Sequence, residues 1–166
     1  MNNVTTETPI LDYLRAVDRE HADAFEFPIN FDWHEAEERI DELTERLGAV
    51  HPYPAAVAWV QDATYHAAVT LPTESGTRLM IRASNFAALA AVEPADTREY
   101  PTLDEAVAGG AVTEEERRRV LDAVAHAEYV HVPEHVLDHP YDGVYTLREI
   151  HPGKPPTWRI RFFGQL

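Results

Sequence analysis

The chain has no cysteine, two methionines and a single lysine, Lys154, in 166 residues. Without cysteine, disulfides, thiolate zinc sites, iron–sulfur clusters and a cysteine nucleophile are all excluded. Only two serines occur, Ser75 and Ser84, and neither sits in a G-x-S-x-G elbow. Ser75 adjoins Gly76 and reads as a turn residue. No G-x-G-x-x-G, Walker A loop, H-E-x-x-H or EF-hand loop is present, which removes both common phosphate cradles and two common metal sites. No apolar run approaches the roughly 20 residues that span a bilayer. Met1–Glu7 offers neither the basic nor the apolar region of a secretory signal, so the expectation is a cytoplasmic protein away from membranes.

Positive charge is the other shortage. Fourteen Lys and Arg face 29 Asp and Glu, for a net charge of −15. The imbalance is uneven: residues 1–50 hold 13 acids and four arginines, whereas residues 147–166 hold one acid and four bases. Such a field repels polyanions, which argues against direct nucleic-acid binding and against anionic lipid. It favours a basic protein partner, mainly by speeding encounter. Scarce lysine with plentiful arginine and alanine is also the usage of a biased genome or a salty cytoplasm, in which acids merely solvate the surface.

What is present is ordinary globular usage, 45% hydrophobic and 26% charged, in a length suited to one domain over residues 1–166. Thr8-Pro9 reads as the start of a helix that ends near Ala22. Asp32-Trp33-His34-Glu35 reads as a capping box, followed by an apolar stripe of Trp33, Ala36, Ile40, Leu43 and Leu47 closed by Gly48. The period then shortens. Ala55–Val60, Tyr65–Leu71 and Arg78–Ser84 read as an antiparallel meander, and Phe86–Val92 fits helix or strand. Thr102–Glu105 and Thr113–Glu116 are further capping boxes, the first helix ending at Gly109-Gly110. Tyr129–Val132, Val144–Ile150 and Thr157–Phe163 read as strands, the last alternating Trp158, Ile160 and Phe162 against Arg159 and Arg161. The fold class expected is α+β: a single antiparallel sheet of about five or six strands with helices on one face.

Two clusters carry chemistry. Phe25, Phe27, Phe31 and Trp33 lie among acids, just before a helix whose outer face bears Glu37, Glu38, Asp41, Glu42 and Glu45. Aromatic anchors rimmed by acids are the composition of a hot spot for a basic partner, although Trp33, with Trp59 and Trp158, also fits a buried face. The second cluster is His131, His135 and His139 with Glu134 and Asp138. If Pro133 opens a helical turn, His135 and His139 stand at i and i+4, a spacing that a divalent metal bridges. The single histidines read as structural: His34 as a surface partner of Glu38, His66 as a sheet-face residue that meets a cleft only if that face is partly uncovered.

The leading expectation is a non-catalytic, cofactor-free acidic domain that binds a basic protein, in its concrete form an immunity- or antitoxin-type inhibitor of a nuclease toxin. Phe25, Phe27, Phe31, Glu37, Glu38, Asp41, Glu42 and Glu45 would form the contact surface. The alternatives are a metal-dependent hydrolase using His131, His135 and His139, and a small-ligand domain whose pocket lies between sheet and helices, with Tyr65, His66 or Tyr145 turned inward.

Overall fold

The computed structural model describes residues 4–147, 153 and 155–165. A five-stranded sheet in the order β1-β2-β3-β4-β5 forms the centre. Its strands are β1 (Ala56–Trp59), β2 (Tyr65–Pro72), β3 (Arg78–Ser84), β4 (Leu89–Pro94) and β5 (Val130–His131). The first four form an antiparallel meander, as the period-two pattern requires. β5 returns after two helices and pairs parallel to β4, so the sheet is mixed rather than wholly antiparallel.

Alternation along the strands sends side chains to opposite faces. Val69, Leu71, Leu79, Ile81, Ala90 and Val92 join one core with Ile40, Leu43 and Leu47 of α2 (Trp33–Val50), Leu103 of α3 (Leu103–Ala108) and Val120 and Val124 of α4 (Glu114–His126). Ala68, Leu89 and Ala91 join the other with Leu14 and Val17 of α1 (Val4–Glu20), Val136 and Leu137 of α5 (Glu134–Leu137) and Trp158 and Phe162 of α6 (Trp158–Phe163). Helices therefore cover both faces, not one. β4 shows why, since all six of its residues are buried and neither face tolerates water.

The caps behave as their chemistry demands. Asp32 accepts from the His34 and Glu35 N–H groups, while Glu35 turns away to Arg39, leaving the expected box half made. Thr102 caps α3, which Gly109 ends, and Thr113 with Glu116 completes a reciprocal box on α4. Gly48 does not stop α2, which runs to Val50 and is capped by His51. α1 begins at Val4, upstream of the expected Thr8 cap, contains Pro9 and stops at Glu20. Phe86–Val92 resolves into a turn and β4.

The largest departure is at the C-terminus, where the expected strand is helix α6. Thr157 caps it, accepting from the Ile160 N–H. Its buried residues, Trp158, Arg161, Phe162 and Phe163, follow helical spacing. Val144 and Tyr145 form bends and Leu147 is helical, not the start of a strand, and residues 148–150 of that expected strand lie outside the described residues.

Candidate protein-interaction face

A buried charge fixes the loop that carries the aromatics. Arg161 and Asp18 are both fully buried and meet at 2.6 Å. The remaining guanidinium donors go to backbone carbonyls: Nη2 to His21 and Ala24 at 3.0 and 2.9 Å, Nη1 to Phe25 at 3.3 Å. The other Asp18 oxygen accepts from the Tyr141 hydroxyl and the Val144 N–H, each at 2.7 Å. Burial, reinforced by this bond to Asp18, pushes the Tyr141 hydroxyl well above its usual pKa. Asn85 donates to the Glu26 carbonyl at 2.7 Å. Residues 21–26 are thus held by four of their carbonyls although they form no regular structure.

Downstream of this anchor, Phe27, Phe31 and Trp33 pack as a triad with ring centroids 4.9–5.4 Å apart. His66 of β2 lies beneath, 5.5 Å from Phe31, 6.4 Å from Trp33 and 6.3 Å from Trp59, whose ring stacks on it. Trp33 and Trp59 remain 51% and 50% exposed, contrary to their expected burial; Trp158 alone is enclosed. The two exposed rings line an open cleft of about 300 Å³ together with Glu37, Val60 and Gln61. Two aromatic walls beside a carboxylate suit a cationic side chain, through cation–π attraction and a charge-assisted hydrogen bond.

An acid row extends from this cleft. Glu37, Asp41 and Glu45 are exposed and recur every four residues, about 6 Å apart along the α2 axis. Among the described residues they enter no ion pair, whereas Glu38 and Glu42 of the same helix pair with His34 and Arg46 at 3.3 and 2.7 Å. Like charges at this spacing destabilise a helix by about 0.2–0.5 kcal/mol per pair, so the row is kept at a cost. On the other side, edge strand β1 exposes all four of its residues, Ala-Val-Ala-Trp, with no charge or proline to block pairing.

Of the eight residues expected at the surface, Glu37 lines the cleft, Phe27 and Phe31 pack against its Trp33, and Glu38, Asp41, Glu42 and Glu45 lie along α2. Phe25 does not join them; it stacks on Tyr145, 5.5 Å away, beside Arg161. Trp59 was the contributor that sequence missed, because an apolar strand gives no sign of standing at an unprotected edge.

The histidine cluster is dispersed in role. Pro133 does open the short helix α5. His131 is half-buried, and burial pushes its imidazole down to about 4. Glu134 accepts from the Leu103 N–H at 2.7 Å and Asp138 from Arg159 at 2.8 Å, while His135 is exposed. Among the described residues, no three His, Cys, Asp or Glu side chains converge to hold a metal. Nor is any helix in the described residues long and apolar enough to cross a membrane. Ser75 is the turn residue expected, donating to the Ala111 carbonyl at 2.6 Å.

The chain matches no protein-family model, no curated protein and no solved structure.

Proposed function

We propose that this protein is a binding module for a basic protein, with an arginine or lysine of the partner seated in the cleft between Trp33 and Trp59. The observation that carries it is that cleft: two half-exposed indoles and a carboxylate, Glu37, that enters no ion pair among the described residues, line the same space. The Glu37–Asp41–Glu45 row then steers the partner, and the open edge of β1 supplies backbone hydrogen bonds to an incoming strand. An immunity-type inhibitor of a basic nuclease is the concrete form of such a module, because a nuclease presents arginines and lysines where it grips phosphate.

Indole fluorescence tests this. Titrating an arginine-rich peptide at low salt should quench Trp33 and Trp59 saturably, with buried Trp158 as internal reference, and high salt should weaken the effect. Trp33→Ala with Trp59→Ala should abolish saturable binding, assayed by calorimetry, although the net charge is unchanged. Equal binding by the double variant would exclude the cleft.

A further inference from the structure

A second cavity lies beside Phe31 of the aromatic triad. A cavity of about 340 Å³ opens between the end of α1, the first turns of α2 and one end of the sheet, at the lower limit of small-molecule pockets. His66 and Tyr129 both line it, only 2% and 5% exposed, and His66 Nε2 and the Tyr129 hydroxyl have no hydrogen-bond partner among the described residues. Buried polar atoms are almost always paired, so both of these lining atoms are open to a molecule held in the cavity.

The surrounding groups fix what each orphan offers. Asn85 donates through Nδ2 to the Glu26 and Ala63 carbonyls at 2.7 and 3.1 Å, which leaves its Oδ1 facing His66 Nδ1 at 3.1 Å. His66 must therefore carry its proton on Nδ1, and Nε2 presents a lone pair. Burial pushes this imidazole down to about 4, so it stays neutral near neutral pH. The Tyr129 hydroxyl is pushed up by burial, so it keeps its proton and donates.

The backbone is shaped for this. In the pairing of β2 with β3, Tyr65 faces Ser84 and Ala67 faces Ala83, which makes His66 the extra residue of a bulge. Bulges re-aim a side chain at a site. Ala87 and Ala88, also on the cavity wall, both take φ of +50°, a region that alanine rarely occupies and consecutive alanines more rarely still. Charge sorts the ligand further. Glu20, Asp32 and Glu35 line the cavity against one guanidinium, Arg39, already tied to Glu35 at 2.7 Å. An anion is opposed, and neither orphan offers a cation a charge.

From the paired orphans His66 Nε2 and Tyr129 Oη we infer a binding site for a small uncharged amide-type molecule of nucleobase size, its N–H donating to the imidazole and its carbonyl accepting from the phenol. The site stands apart from the partner-binding proposal and fails or succeeds separately from it. Uracil is the probe, with 1,3-dimethyluracil, which lacks the N–H donors, as control. Uracil should shift the ¹⁵N resonance of His66 Nε2 saturably, and the dimethyl compound should not. Tyr129→Phe removes only an unpaired hydroxyl, so the protein should stay folded while uracil binds about tenfold more weakly, the loss of one hydrogen bond. No shift at millimolar uracil, an equal shift with the dimethyl compound, or unchanged affinity in Tyr129→Phe would each overturn the inference.

Discussion

Single buried polar residues decide much of this structure. Arg161 is enclosed yet has a partner for each donor nitrogen, and those partners hold the loop that leads into the aromatic triad. Arg161→Met would leave Asp18 charged and uncompensated inside the protein, a loss of about 3–5 kcal/mol. Urea denaturation should show that loss, and the Trp33 fluorescence of the folded variant should report a loosened triad; a change below about 1 kcal/mol would contradict the anchoring role. Glu134 gives a pH signature. Burial pushes it up to about 7 from an ordinary 4.5, against the Leu103 N–H that it accepts. Its stabilising share is complete below its unfolded value and is lost as pH rises through 7. His66 and His131 act oppositely, since both are pushed down to about 4 and their share is lost as pH falls. Glu134→Gln keeps an acceptor for Leu103, so its stability advantage over the native protein should be near zero at about pH 4.5 and full at about pH 8. An advantage of equal size at both pH values would show that Glu134 does not titrate as described.

At the scale of elements, α2 shows a stability cost set against a surface. Replacing Glu37, Asp41 and Glu45 together by glutamine should raise the melting temperature slightly, because two like-charge contacts at i,i+4 disappear. The same variant should bind the arginine-rich peptide more weakly and with a shallower salt dependence; unchanged binding would leave the row without a role. How far each element could be read in the sequence follows from how local its determinants are. The Asp32, Thr102 and Thr113 caps and the β1–β3 meander were legible, because each is fixed by residues within a few positions. Helix α6 was not. In Trp158–Phe163, the alternation of Trp158, Ile160 and Phe162 mimics a strand, and only a buried Arg161 reveals the helical period. The partner that permits that burial, Asp18, lies 143 residues away. The His66 bulge was equally hidden, since it depends on the register against β3.

For the whole molecule, the two helical layers and the parallel fifth strand depend on tertiary placement that no local pattern records; the α+β class, by contrast, was plain from the change of hydrophobic period. The acidic–aromatic composition around residues 25–45 marks the loop and helix that carry Trp33 and Glu37, yet the cleft they line also needs Trp59, brought from strand β1. Net charge alone would attract any cation-rich protein; the paired indoles are what would make attachment selective. Capture from native lysate therefore tests the central claim most directly, comparing the native protein with the Trp33→Ala, Trp59→Ala variant at low and high salt. The account predicts a basic protein retained by the native chain at low salt, weakened at high salt, and lost from the variant despite its identical charge. Retention of the same protein by the variant, or no basic protein captured by either, would contradict it.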